Sequence, residues 1–90
     1  MSNWVVSNGW CVGENGLENG RVPHEYGLTQ EECFDKCRAN TNLKGCTHFT
    51  SNNKCVTYTG DVVGGNGWAG SEGYKCFHSR GKKYTLLPFG

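Results

Sequence analysis

The chain has 90 residues, of which 36% are hydrophobic and 14 are glycine, so we expect a single small domain over residues 1–90 with a modest core. Nine Lys and Arg residues against eight Asp and Glu residues give a formal charge of +1, which argues against a nucleic-acid-binding protein or a polybasic membrane binder. No stretch reaches the roughly 18 apolar residues of a membrane span, and no apolar signal core follows Met1. If the chain is secreted, we expect its signal peptide to be absent from this sequence.

The cysteines are the strongest indication of where such a chain works. There are six of them: Cys11, Cys33, Cys37, Cys46, Cys55 and Cys76. An even number in a short chain favours a disulfide framework and an extracellular location, because cytosolic reductants keep thiols reduced. Six cysteines allow 15 connectivities, and the count alone does not choose among them.

The N-terminal third contains one short apolar segment and a long polar one. Residues 4–6 combine an aromatic with two β-branched side chains, which predicts a strand. Residues 14–27 are polar, rich in turn-forming residues and interrupted by Pro23, so we expect a surface loop.

A helix is predicted at residues 30–39. Thr29 is a favourable N-cap, and Glu32 three residues later completes a capping box. Cys33 and Cys37 are four residues apart, so their sulfurs leave the same face of the helix. We therefore expect each to bond away from the helix and not to the other.

The segments on either side of residues 51–54 predict a β-hairpin, because β-branched and aromatic residues flank a polar turn. A four-residue loop sorts the hairpin side chains into two sets. One face then has Phe49, Val56 and Tyr58, and the other has Cys46, His48, Cys55 and Thr57. Residues 74–78 predict a further strand, whereas the glycine-rich residues 60–73 predict a long exposed loop around Trp68.

Three segments resemble the pattern of the PAN/apple domain family: LTQEECFDKC at residues 28–37, CTHF at 46–49 and NKCVTY at 53–58. The resemblance implies a small disulfide-rich α+β domain in which one helix packs on a curved antiparallel sheet. We expect the core of this domain at about residues 4–79, with residues 80–90 as a tail or linker. The resemblance also implies three nested disulfides, Cys11–Cys76, Cys33–Cys55 and Cys37–Cys46. The glycine-rich segment and the tail depart from the commonest form of the family.

Catalysis and metal binding are both disfavoured by the residues present. The three histidines are scattered at positions 24, 48 and 78, with no activated nucleophile beside them. A zinc site is conceivable from four residues: Cys33, Cys37, Cys46 and His48. Their spacing lacks paired Cys-x-x-Cys knuckles and leaves two cysteines unexplained. We therefore expect no enzyme activity, no cofactor and no metal.

The same tripeptide, Asn-Gly-Trp, occurs at residues 8–10 and 66–68. Trp10 adjoins Cys11 and is expected to pack against the outer disulfide, whereas Trp68 lies in the glycine-rich segment and is the better ligand candidate. The predicted ligand-binding residues are Asn66, Trp68, Lys82, Lys83 and Tyr84.

Family members are extracellular recognition modules that bind proteins or carbohydrates. The resemblance therefore implies an adhesion or lectin-like binding module with a glycan or protein partner. The alternatives are a self-associating structural repeat and a secreted effector that binds a protease or receptor.

Overall fold

The computed structural model describes residues 4–67 and 73–79 and shows one helix packed on an antiparallel sheet. The strands are β1 (Trp4–Asn8), β2 (Cys11–Val12), β3 (Arg21–Glu25), β4 (Gly45–Phe49), β5 (Lys54–Tyr58), β6 (Gly64–Gly65) and β7 (Tyr74–Ser79), and the helix is α1 (Gln30–Ala39). Five strands form one sheet in the order β1-β7-β4-β5-β3, and β2 pairs with β6 in a second, two-stranded sheet. The α+β class predicted from the sequence is confirmed.

Helix α1 begins where the sequence predicts, because its first turn is capped in both directions. The Thr29 hydroxyl accepts a hydrogen bond from the Glu32 amide at 3.1 Å, and the Glu32 carboxylate accepts one from the Thr29 amide at 2.9 Å. These bonds satisfy two of the amide donors that a helix start leaves without intrahelical partners. The described helix is far too short to cross a bilayer.

The residue before the cap is fixed to the hairpin. The Leu28 amide donates to the carbonyl oxygen of Asn53 at 3.2 Å. The Leu28 carbonyl oxygen lies 2.8 Å from Nε2 of His48, a side chain that is 1% exposed. Because a carbonyl oxygen only accepts hydrogen bonds, Nε2 carries the proton and donates. Helix α1 therefore enters the fold at a position set by strand β4 and the hairpin loop.

The β4–β5 hairpin has the predicted sorting of its two faces. Phe49 pairs with Lys54 across a four-residue loop at 50–53, and Cys46 pairs with Thr57. The loop begins one residue earlier than the predicted one at 51–54, so each residue of β4 pairs with a residue of β5 two positions earlier than expected. Because side chains alternate between faces, a shift of two positions leaves every side chain on its predicted face. The face with Cys46 meets helix α1, and the face with Phe49 points away from it.

On the helix side, the core is built around a stack of aromatic rings. Phe77 lies between Phe34 and Trp4, with ring centroids 4.2 and 4.9 Å away. The Arg38 guanidinium lies 5.3 Å from the Phe77 centroid. This stack joins the helix to strands β1 and β7, and offset ring pairs of this kind add to the stabilisation from burial.

On the opposite face a second core lies under the β2–β6 ribbon. It consists of Cys11, Val56, Tyr58, Val62 and Cys76, with Phe49 at its margin. The Cys11–Cys76 disulfide joins the ribbon to strand β7, and the Cys33–Cys55 disulfide joins the helix to strand β5. The five-stranded sheet is therefore cross-linked on both of its faces.

The third pair implied by the family resemblance is not bonded in the structure. Cys37 and Cys46 are free and fully buried. Their thiols are near enough to hydrogen-bond, and this bond, followed by burial, raises the pKa of Cys46 far above its ordinary value. The pairing Cys37–Cys46 stays a prediction about the oxidised protein.

Two segments predicted as loops contain strands. Within residues 14–27, Arg21–Glu25 forms the edge strand β3, whose pairing with β5 is irregular between Val22 and Glu25. Pro23 is compatible with this position because an edge strand or bulge does not need its missing amide. Within residues 60–73, Gly64–Gly65 pairs with β2, and Val62 is buried. The strand predicted at residues 4–6 is also longer than expected, because β1 continues for two more residues to Asn8.

Candidate functional site

Four of the five residues predicted to bind ligand, Trp68, Lys82, Lys83 and Tyr84, lie outside the described residues, as does the tail at 80–90. The fifth, Asn66, is exposed and follows strand β6 directly. Asn66 is therefore the one predicted ligand-binding residue whose position the structure describes.

Asn66 and Gly67, the described residues of the second Asn-Gly-Trp tripeptide, lie against the first one at residues 8–10. The Asn66 amide donates to the Trp10 carbonyl at 2.9 Å, and the Gly67 amide donates to the Asn8 carbonyl at 3.0 Å. A Cβ on Gly9 would lie 2.0 Å from the side-chain oxygen of Asn66, so only glycine permits this approach. Asn66 and Gly67 are thus bonded to the segment that contains Trp10.

Trp10 is half-buried and lines an open groove on the sheet face opposite the helix. The groove has a volume of about 260 Å³. We call it the aromatic groove and define it by six residues: Trp10, Glu18, Arg21, Phe49, Lys54 and Tyr74. This volume lies below the roughly 300–1,000 Å³ of typical small-molecule pockets, so the groove accommodates one ring-sized part of a ligand.

Three of the six lining residues are aromatic. The Phe49 and Tyr74 rings, paired across strands β4 and β7, are 4.1 Å apart between centroids. The Trp10 ring lies 5.8 Å from that of Tyr74. The Gly9 amide donates to the Tyr74 carbonyl at 3.0 Å and so holds the Trp10 segment against strand β7. All three rings are only partly buried, which leaves apolar ring surface facing the groove.

The carboxylate of Glu18, which also lines the groove, is held by a chain of hydrogen bonds. The Tyr58 hydroxyl donates to Glu18 Oε2 at 2.6 Å. Because its single proton is used there, the 3.1 Å bond between Tyr58 and Thr47 has the Thr47 hydroxyl as donor. Thr47 in turn accepts from the Cys11 amide at 2.9 Å. The carboxylate is thereby connected to the backbone beside a disulfide.

The pKa of Tyr58 is affected by its burial and by its place in this series of hydrogen bonds. Its side chain is fully buried. Burial, and next the hydrogen bond to Glu18, raise the pKa of Tyr58 above its ordinary value. The hydroxyl therefore stays protonated and continues to orient the Glu18 carboxylate.

Two cations border the groove. Arg21 Nη1 lies 3.3 Å from Glu18 Oε1, so this cation is partly neutralised. Lys54 Nζ lies 4.9 Å from the centroid of the Phe49 ring. Among residues 4–67 and 73–79 the structure shows no ion pair for Lys54. Counted over the described residues, the lining of the groove has one carboxylate, two cations and three aromatic rings.

The ligand-binding residues predicted from the sequence lie in the glycine-rich segment and the tail and stay a prediction, and the sequence pattern does not indicate this groove. Only Phe49 had a usable signal, since the hairpin pattern put it on the face away from Cys46. Trp10 is expected to pack on the outer disulfide, which stays a prediction, and its ring lines the groove. Glu18 and Arg21 fell in a segment predicted to be loop, and no local pattern connects them to Tyr74.

The zinc site considered from the sequence is incompatible with the disulfides, because Cys33 is bonded to Cys55. Within the described part of the chain, no group of three or more His, Cys, Asp or Glu side chains is arranged to hold a metal ion.

Comparison of the chain with models of protein families, with curated proteins and with solved structures finds no match.

Proposed function

We propose that this chain is a non-catalytic carbohydrate-binding domain, and that the aromatic groove is its binding site. The observation that supports this most is the cluster of Trp10, Phe49 and Tyr74, whose rings face a concave surface beside an oriented carboxylate. Sugars combine weakly polar C–H faces with ring hydroxyl groups. The aromatic rings offer flat apolar surface to the C–H faces, and Glu18 offers acceptor oxygens to the hydroxyl groups.

The support around the groove favours recognition by a preorganised surface. Phe49 and Tyr74 lie on paired strands, and Glu18 is held by Tyr58 and Arg21. The Cys11–Cys76 disulfide lies in the core beneath. A rigid site loses little conformational entropy on binding, which matters for a shallow groove with few contacts.

We further propose that the scaffold is of the PAN/apple type and works outside the cell. The capped helix, the Cys33–Cys55 link to strand β5 and the outer Cys11–Cys76 link support this assignment. Disulfides persist in oxidising compartments, which supports the extracellular location.

The proposal is tested on a broad glycan array, followed by calorimetric titration of the sugars that bind. Tyr74→Ala removes the central ring of the groove, and we expect it to weaken binding at least tenfold, or about 1.4 kcal/mol. Tyr26→Ala is the matched control, because Tyr26 is 61% exposed and does not line the groove. It should bind like the parent protein.

Binding that survives in Tyr74→Ala would place the ligand elsewhere and refute the proposed site. No response on the array, together with capture of a protein partner that requires Tyr74, would replace carbohydrate recognition with protein recognition at the same groove. Circular dichroism of both variants would show whether the fold is retained.

A further inference from the structure

Among the described residues that line the aromatic groove, the charges do not balance. Arg21 and Lys54 contribute two positive charges, and Glu18 contributes one negative charge. Both oxygens of Glu18 have donors, Arg21 for one and Tyr58 for the other. The carboxylate is therefore less available to an incoming cation than its formal charge indicates.

The cations have spare capacity. A guanidinium has five N–H donors, and the described contacts of Arg21 use one of them. The Lys54 ammonium has three donors and rests above the Phe49 ring, at the edge of the apolar surface. An anionic group on a ligand whose ring lies on Tyr74 or Phe49 would thus meet donors at the border of the same groove.

From this arrangement we propose that the aromatic groove selects an acidic sugar, one whose carboxylate or sulfate group is bound by Lys54 with help from Arg21. This inference depends on the proposed carbohydrate site and specifies its ligand class. The sugar ring lies on the aromatic side chains, and the anion replaces water around the two cations. Charge-assisted hydrogen bonds are stronger than neutral ones, so the charged substituent determines selectivity.

The test compares three probes by calorimetry at low salt: methyl glucuronide, the uncharged methyl glucoside and glucose 6-sulfate. We expect the glucuronide to bind about tenfold more tightly than the glucoside, the ratio that corresponds to 1.4 kcal/mol. A similar gain with the sulfate would show that negative charge is recognised, whereas a gain confined to the glucuronide would show that carboxylate geometry is recognised. Either result supports an acidic ligand.

The variant Lys54→Met tests whether Lys54 causes the preference for acidic sugars. Methionine keeps an apolar side chain over Phe49 and removes the charge, so the preference for acidic over neutral sugar should fall to about twofold or less. Lys44→Met is the control, because Lys44 is exposed, causes the same change in net charge and does not line the groove. The preference should also fall as salt increases from about 50 to about 500 mM, since exposed charges are screened.

A second variant, Glu18→Gln, changes the preference in the opposite direction. Glutamine keeps an acceptor for Tyr58 and removes the negative charge, so the preference for acidic over neutral sugar should rise about two- to threefold. Equal binding of acidic and neutral sugars, or an unchanged preference in Lys54→Met, would overturn this inference and leave the carbohydrate site intact. Failure of all sugars to bind, on this panel and on the glycan array, would overturn both.

Discussion

Replacement of Tyr58 by phenylalanine tests the hydrogen-bond chain that supports the aromatic groove. The substitution keeps the ring, which is fully buried in the core under the β2–β6 ribbon, and removes only the hydroxyl. Glu18 loses the donor at 2.6 Å, and Thr47 loses the acceptor at 3.1 Å. Nothing else on the ring changes, so the effect reports on the two bonds.

The expected cost is about 2 kcal/mol of the free energy of unfolding. A hydrogen bond to a charged acceptor contributes about 1.5–3 kcal/mol. The Glu18 side chain is 28% exposed and recovers part of its solvation from water, which favours the lower half of that range. Thr47 is fully buried and keeps its bond from the Cys11 amide, so its hydroxyl loses one partner of two.

The pH dependence gives an independent check with a definite sign. Because the folded protein raises the pKa of Tyr58 above the value of about 10 in the unfolded chain, the neutral hydroxyl stabilises the fold. This contribution is fully present below pH 10 and is lost as the pH rises through the folded pKa. The parent protein should therefore lose stability above about pH 10, and Tyr58→Phe should lose less.

Urea unfolding monitored by tryptophan fluorescence measures both effects. Tyr26→Phe removes a hydroxyl from an exposed tyrosine and is the control, expected to change stability by less than about 0.5 kcal/mol. Both variants retain the free cysteines, so alkaline thiol chemistry affects all samples alike. Two results would refute the proposed role of these hydrogen bonds. One is a loss of less than about 0.5 kcal/mol of the free energy of unfolding for Tyr58→Phe at neutral pH, and the other is an equal loss of stability above about pH 10 in the parent protein and in Tyr58→Phe.

Three further predictions concern the helix and the cysteines. Thr29→Ala should lower the free energy of unfolding by about 1 kcal/mol, and Thr29→Ser should recover most of it in the same urea assay; equal costs would contradict the capping role. His48→Gln keeps a donor for the Leu28 carbonyl, whereas His48→Leu removes it, so the glutamine variant should be about 1–3 kcal/mol more stable. A more stable leucine variant would show that burial of an apolar side chain matters more than this hydrogen bond. Mild oxidation should join Cys37 to Cys46, with the mass of two hydrogens lost and a stabilisation of about 2.7 kcal/mol from the closed loop; peptide mapping that recovers two free thiols would contradict this.

Local signals predicted the helix and the hairpin well. The capping box depends on residues three apart, so Thr29 and Glu32 alone fix the start of the helix. The two faces of the hairpin depend only on whether the loop length is even or odd, which is why a shift of the turn left Phe49 on its predicted face.

The groove could not be predicted in the same way because its residues come from distant segments. Strand β3 has a proline and few apolar residues, and only its pairing with β5 makes it a strand. Glu18 reaches the groove through Tyr58, forty residues later in the chain. Contacts of this kind depend on the tertiary fold and have no period in the sequence.

Heteronuclear NMR of isotope-labelled protein, titrated with the sugar that binds best, tests the central claim most directly. We expect the indole N–H of Trp10 and the amides of Phe49 and Tyr74 to shift together with a single dissociation constant. The indole of Trp4, which packs on Phe77 across the sheet, should not move. Shifts confined to Trp4 and helix α1, or no saturable shift at Trp10, would contradict carbohydrate binding in the aromatic groove.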